Sequence, residues 1–417
     1  MLWHIEYPEQ DQPLFANVNE ASGWCFHEAE LLQSMELLID GRRESEAILG
    51  YPRMDVSSRY PQAEGRSLLS GFRCAFDPGR LAPGPHTFEF QARTATANAT
   101  LTRSVLKQRN ANPVLVTDVF IDIVGSCNLR CAMCPHGNLE GIGASRTMGV
   151  MPPRLFERII RHLRDSGILG EYVNLYNWGE PMLHPHLEDI LDVCRRFDVK
   201  AIISSNLSVP ERRLDPLKSR PVDLLMVSIS GFTQEIYAKN HSGGNLARVL
   251  KNLSILASHR DTVRTVLVKF LVFKHNAHQI EPAKRFALEH GFEFGAYAGV
   301  IPSIESYSCV NDNESYARAS DTYVHLSTPL GRATQSCPQE TKIVIDHEGR
   351  LEHCSMAWNR PYANSVLDAD IRAYLLGKLK NQDCRACMDS GYSHYRHYGA
   401  YSPELLQLST ATPEPLR

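Results

Sequence analysis

Over the first hundred residues, apolar side chains recur at every second position. Phe72, Cys74 and Phe76 share one parity, as do Phe88, Phe90 and Ala92, and Trp24 and Phe26 flank Cys25. Successive side chains of a strand point to opposite faces, so a period of two predicts short strands with one apolar face. Asp40-Gly41 follows the run MELLI and precedes another strand-like segment, which predicts a tight hairpin. With Asp77-Pro78-Gly79 and Pro83-Gly84-Pro85 as punctuation, residues 1–110 read as a small accessory β-sandwich. The polar stretch KQRNANP, 107–113, reads as a linker.

From 111 to 300 the pattern becomes strand alternating with helix. Strand-like runs occur at 118–124, 172–176, 200–204, 223–230, 265–273 and 293–301. Between them, Leu187, Ile190, Leu191, Cys194 and Phe197 recur at helical spacing, as do Leu246, Val249, Leu250, Leu253 and Leu256. Six strand-then-helix repeats predict an α/β fold with a parallel sheet, open or curved into a partial (β/α)6 barrel. Function is then expected at the carboxyl ends of the strands. Residues 301–400 are cysteine-rich with one clear strand, KIVIDHEG, and 401–417 read as a loosely held tail.

The 417 residues suggest two or three domains. A net charge of −3 gives no electrostatic reason to expect a nucleic-acid or anionic-membrane partner. The start, MLWHIEYPEQ, lacks the basic end and apolar core of a signal peptide. The longest apolar stretch, Val266 to Phe273, is interrupted by Lys269 and falls short of the ~20 residues of a membrane span. A soluble, cytoplasmic protein is expected. In a reducing compartment its 11 cysteines point to metal or catalysis rather than disulfides.

Cys127, Cys131 and Cys134 form a Cys-x3-Cys-x2-Cys array just after the first strand of the barrel region. Three thiolates this close can wrap one four-iron cluster and leave one iron open to another ligand. The alternative is a structural zinc loop with His136 as fourth ligand, although zinc pairs usually have two-residue gaps.

On these residues the chain resembles the radical S-adenosylmethionine (SAM) superfamily, whose signature is this array on the loop after the first barrel strand. The resemblance implies a 4Fe–4S cluster on the three cysteines, SAM on the open iron, reductive cleavage to a 5′-deoxyadenosyl radical, and an electron donor such as flavodoxin or ferredoxin. NWGEP, 177–181, resembles the family's Gly-Glu-Pro motif and implies SAM-amine contacts at Gly179, Glu180 and Pro181, with Trp178 replacing the first glycine. SSN, 204–206, resembles the ribose-contacting segment and implies Ser205 and Asn206. SISG, 228–231, implies SAM contacts at Ser228 and Ser230, and Met133 takes the place of an aromatic against the adenine. Lys269, a charge within an apolar strand, either points into the barrel towards the SAM carboxylate or a substrate oxygen, or snorkels to solvent.

Cys337 and Cys354 bracket KIVIDHEG, and Cys384 and Cys387 follow as a Cys-x2-Cys pair. In isolation these four read as a zinc ribbon. After a radical SAM barrel they resemble the SPASM/twitch extension, which implies an auxiliary 4Fe–4S cluster in a small C-terminal Fe–S domain. No cysteine follows Cys387, so the shorter twitch form is expected. Cys25, Cys74 and Cys194 read as buried small hydrophobes. Cys309 lies in the connection near the expected barrel mouth, either as a hydrogen donor to a substrate radical or as an inert loop thiol.

Relatives with a twitch extension include dehydrogenases and epimerases of aminocyclitols or sugars, and SPASM relatives include peptide maturases. Maturases commonly carry a winged-helix module, whereas residues 1–110 read as β structure and look similar to accessory domains beside glycan-modifying enzymes. The expected activity is therefore hydrogen abstraction from a carbohydrate or cyclitol-like small molecule, leading to dehydrogenation or epimerisation. The alternatives are a maturase that crosslinks or epimerises a ribosomal peptide, and a non-catalytic zinc-binding interaction protein.

Overall fold

The structure, a computed structural model, describes residues 1–51, 53, 56, 59–63, 65–108, 113–131, 134, 148–299, 337–356 and 360–390. The chain divides into two compact units. The first comprises 1–115 with 331–341 and 375–401, and the second 116–330 with 342–374 and 402–417.

The first unit contains β1 (Leu2–Tyr7), β2 (Glu20–Phe26), β3 (Ser34–Ile39), β4 (Arg42–Glu46), β5 (Ile48–Tyr51), β6 (Gly71–Ala75), β7 (Gly84–Arg93) and β8 (Asn98–Lys107). They form two four-stranded antiparallel sheets, ordered β1-β2-β6-β5 and β4-β3-β7-β8. The inward parity read from the sequence makes the core: Phe72, Cys74, Phe76, Phe88, Phe90 and Ala92 are buried together with Met35 and Leu37. Phe76 and Phe88 meet edge to face at 5.2 Å. Asp40 and Gly41 take positive φ of 52° and 75°, the left-handed pair that a two-residue hairpin between β3 and β4 requires.

Residues 337–341 belong to this unit and bring in a buried carboxyl. Both the backbone N–H and the Nδ2 of Asn19 donate to the Glu340 carboxylate at 3.2 Å, and Asn17 Nδ2 donates to the Glu340 carbonyl at 2.9 Å. Burial, reinforced by the charge of Glu20, pushes the Glu340 carboxyl up to about 8 against the opposing pull of the Asn19 bonds.

The second unit carries β9 (Asp118–Ile121), β10 (Tyr172–Asn174), β11 (Lys200–Ser205), β12 (Val222–Ile229), β13 (Val263–Val272) and β14 (Glu293–Ala298). They lie side by side in chain order and are all parallel. Between strands run α1 (Pro153–Asp165), α2 (Leu187–Arg196), α3 (Gln234–Asn240), α4 (Leu246–Leu256) and α5 (Ile280–Glu289). This is an α/β fold whose parallel sheet is that of a partial barrel. Helix-spaced residues of α2 and α4 are buried as their pattern predicts, Leu187, Ile190, Leu191, Cys194, Leu246, Val249, Leu253 and Leu256 among them.

The sheet does not stop at β9. The KIVIDHEG segment forms β15 (Lys342–Ile345), which runs parallel to β9 with Lys342 opposite Asp118 and Ile345 opposite Ile121. β16 (Leu351–Glu352) and β17 (Pro361–Ala363) continue it antiparallel, for nine strands among the described residues. The strand expected inside a separate C-terminal segment thus extends the barrel sheet. Ile343, Val344 and Ile345 are all fully buried, the near-continuous apolar run of a strand covered on both faces. No described helix is long and apolar enough to cross a membrane.

Candidate functional site

The site is built where the parallel strands end. After β9 the chain continues through Asp122 to Gly125 and into the cysteine loop. Gly125 N–H donates to the Gly149 carbonyl at 2.8 Å, and a Cβ on Gly125 would lie 2.5 Å from the His347 ring. Only glycine lets that buried imidazole, from the turn after β15, lie against the approach to the loop.

Cys127, Cys131 and Cys134 are all half-buried. Cys134 N–H donates to the Cys131 carbonyl at 3.0 Å. Two donors face the first sulfur: Leu129 N–H at 3.5 Å from Cys127 Sγ and Asn206 Nδ2 at 3.7 Å. Burial, then the Glu180 carboxylate, pushes the Cys127 thiol up to about 12, and burial and the other two thiols raise Cys131. Three thiolates so close need compensating positive charge, which iron would supply. Among the described residues, no three His, Cys, Asp or Glu side chains converge on one ion position. A cubane cluster takes each thiolate on a different iron, so three separate sulfurs, the first with two N–H donors, suit it better than a single zinc ion.

The end of β10 is strapped to this loop. Trp178 N–H and Gly179 N–H donate to the buried Asp122 carboxylate at 3.0 and 3.1 Å, and Glu180 N–H donates to the Ser126 carbonyl at 2.9 Å. A Cβ on Gly179 would sit 1.6 Å from the Val124 carbonyl oxygen, so the backbones touch there. Trp178, in the place of the motif's first glycine, contributes its backbone N–H to the strap.

Glu180 is 2% exposed, and both its oxygens are occupied by the chain. Oε1 accepts from Met182 N–H (3.0 Å) and the Ser205 hydroxyl (2.7 Å), and Oε2 accepts from Asn206 N–H (2.8 Å). Burial raises this carboxyl and the three donors oppose the rise. Pro181 opens the short 3-10 turn Pro181–Leu183 that Glu180 caps. Glu180 therefore ties the ends of β10 and β11 together. Asn206 in turn donates from Nδ2 to Asn128 Oδ1 at 3.0 Å, and Asn128 Nδ2 donates to the Ser208 carbonyl at 3.0 Å, which joins the third strand's end to the cysteine loop.

At the end of β12, Ser230 Oγ lies 2.6 Å from His241 Nδ1, both buried. Asn276 clamps the neighbouring strand ends. Its Nδ2 donates to the carbonyls of Ser230 and Leu271, both at 2.8 Å, and its Oδ1 accepts from Phe273 N–H at 2.7 Å. Ser228 and Lys269 are register neighbours on the half-buried face of the sheet. Lys269 Nζ lies 5.1 Å from the Tyr297 ring centroid, a cation–π distance.

Gly179, Glu180, Pro181, Ser205 and Asn206 are thus gathered around the loop of Cys127, Cys131 and Cys134, whereas Ser228 and Lys269 sit together on the sheet's half-buried face. Met133 and Cys309 lie outside the described residues. Cys337 is buried in the first unit, where Cys384 and Cys387 share one face of α6 (Gln382–Asp389). Cys354 belongs to the second unit, with Met356 N–H 3.2 Å from its sulfur. Asp122, Tyr237, His241, Asn276 and His347 were not legible as site residues. Only Asp122 gave a signal, as an acid in the apolar run DVFIDIV.

Comparison with known proteins matches residues 121–287 to the radical SAM superfamily. The GTP 3′,8-cyclase of Limosilactobacillus fermentum is 28% identical over 142 residues, 33% of this chain and 40% of that protein. The tungsten-containing aldehyde ferredoxin oxidoreductase cofactor-modifying protein of Pyrococcus furiosus is 26% identical over 194 residues, 44% of this chain and 51% of that protein. The chain thus spans about half or less of the length of these curated relatives. Among solved structures, Streptococcus suis SuiB bound to S-adenosylmethionine aligns at 16% identity with a TM-score of 0.48, over 70% of this chain and 77% of that one. Cysteine loop, strapped Gly-Glu-Pro segment, parallel sheet and family match agree: residues 121–287 are a radical SAM domain, of a superfamily that uses SAM and a 4Fe–4S cluster.

Proposed function

We propose that this chain is a radical SAM enzyme that takes a hydrogen atom from a carbohydrate or cyclitol-like substrate, giving dehydrogenation or epimerisation. The observation that carries the substrate reading is the half-buried sheet face that holds Ser228, Lys269 and Tyr297. A hydroxyl, an ammonium and a phenol on one surface suit a small polyhydroxylated molecule better than an apolar one.

Cys127, Cys131 and Cys134 would hold the cluster, with Leu129 N–H and Asn206 Nδ2 supporting the first thiolate. When bound, cluster and SAM supply reductive cleavage and hydrogen abstraction from an unactivated C–H bond. The chain's part is orientation. Asp122 and Glu180 fix the ends of β10 and β11 against the cysteine loop, and Lys269 is the proposed partner of a substrate oxygen. Met133, Ser228 and Ser230 remain assigned to SAM contact on the sequence motif, with the Ser230 hydroxyl engaged by His241. Cys309 is the proposed hydrogen donor for epimerisation. The spacing of Cys337, Cys354, Cys384 and Cys387 supports an auxiliary 4Fe–4S cluster, and a flavodoxin or ferredoxin is the proposed electron donor.

The test is anaerobic reconstitution, reduction, and a search for deuterium moved from labelled substrates into 5′-deoxyadenosine. Label from a sugar or cyclitol supports the reading. Label only from a precursor peptide replaces it with a peptide maturase, and stoichiometric zinc with no SAM cleavage overturns the enzyme reading altogether.

A further inference from the structure

Tyr237, on α3, is fully enclosed, yet its hydroxyl makes no hydrogen bond to any described residue. Burying an unpaired hydroxyl forfeits its hydration with nothing in return, so native proteins rarely leave one without a partner. The position of this one is fixed from several sides. The ring stacks on His241 with centroids 4.7 Å apart and planes 4° from parallel, and Ser230 holds His241 in place. A Cβ on Gly231 would stand 2.4 Å from Tyr237 N, so the start of α3 lies tight against the end of β12.

The hydroxyl end lies at a turn that meets the cysteine loop. A Cβ on Gly244 would lie 2.8 Å from Tyr237 Oη, which places the hydroxyl beside the turn Ser242–Gly244. That turn is itself joined to the loop. Arg130 N–H donates to the Ser242 carbonyl at 3.0 Å, and a Cβ on Gly243 would be 3.9 Å from the Asn128 carbonyl oxygen. After burial, the charges that raise the phenol are those of Cys131, Glu180 and Cys127, in that order. The phenol stays protonated and is a donor, buried beside a turn that is tied to the cysteine loop.

We propose that the Tyr237 hydroxyl donates a hydrogen bond to a sulfur of the iron–sulfur cluster carried by Cys127, Cys131 and Cys134, and so tunes its reduction potential. The inference rests on the cluster assignment above. A hydrogen bond to a cluster sulfur stabilises the more negative, reduced state and raises the potential.

The test compares full-length wild type with Tyr237→Phe, each reconstituted anaerobically and assayed for iron and sulfide. The relevant cluster is the one whose electron paramagnetic resonance signal changes when SAM is added. Tyr237→Phe is expected to keep full iron and to lower the midpoint potential of that cluster alone. Wild type is expected to show an exchangeable proton coupled to the reduced cluster, lost in D2O and absent from the variant. An unchanged potential and unchanged couplings in iron-replete protein overturn the hydrogen bond, as does weakened SAM binding at constant potential. If the variant does not fold, wild type alone decides, because absence of the exchangeable coupling overturns the proposal. Wild type that takes up no iron refutes the cluster assignment itself, a distinct failure.

Discussion

In the first unit, β7 turns Phe88, Phe90 and Ala92 inward and leaves Thr87, Glu89 and Gln91 on the outer side. In the second unit, β12 and β13 likewise bury Val227, Ile229, Val268 and Phe270, and the alternate positions Ser228 and Lys269 are half-buried, as Glu89 and Gln91 are in β7. The strand ends of the second unit also bury Asp122, Glu180, Ser205, Asn206, Ser230 and Asn276, each hydrogen-bonded. One alternation rule therefore serves two ends. Where polar positions meet water it yields a shell around an aromatic core. Where they are enclosed and paired it yields a rigid frame for chemistry.

Substitutions can break or sharpen this contrast. Cys131→Ala carries the largest expected effect: loss of about four iron per chain and of all SAM cleavage, with the β-sheet signal of the first unit retained. Iron analysis and a 5′-deoxyadenosine assay check it, and an iron-replete, active variant would sever the loop from the chemistry. Phe90→Ala should do the converse, costing about 3–5 kcal/mol in denaturant titration with SAM cleavage per folded molecule unchanged. Gly179→Ala must displace the Val124 carbonyl and should cost about 3 kcal/mol, with iron uptake impaired at the same time.

Glu340→Gln probes the one deeply buried carboxyl described in the first unit. Folded Glu340 keeps its proton up to about 8, whereas the unfolded chain releases it in the ordinary carboxylate range. The unfolded state then binds fewer protons, so wild-type stability falls as pH rises between about 4.5 and about 8. The slope is at most about 1.4 kcal/mol per pH unit, and the Gln variant should lack it. Wild-type and variant stabilities that run parallel across that window would show the carboxyl to be ionised in the fold. The smallest effect belongs to Gly41→Ala, about 1 kcal/mol for a side chain at φ 75°, read as a shift in the denaturation midpoint.

Much of this was legible because it is local. The parity of Phe88 and Phe90, the Asp40-Gly41 hairpin and the helical spacing of Leu246, Val249 and Leu253 each follow from a few neighbouring residues. The cysteine loop and the Gly-Glu-Pro segment were legible as motifs. What the sequence hid depends on register between distant strands. Asp122 acquires its role from N–H groups 56 and 57 positions away, and β15 pairs with β9 across more than two hundred residues. KIVIDHEG reads as a strand, but nothing local states which strand it joins. Tyr237 was missed for the same reason, since the glycines and histidine that fix its ring mean nothing until the turn after α3 is folded back.

The Asn276 amide has a consequence for how this protein ages. Its NH2 group faces two carbonyl oxygens and its own oxygen faces an N–H, so donors and acceptors are matched to a neutral carboxamide. Deamidation would exchange that NH2 for an anionic oxygen set against the same two carbonyls. A chemical change of a single mass unit would then push apart the ends of β12 and β13, without touching a cysteine.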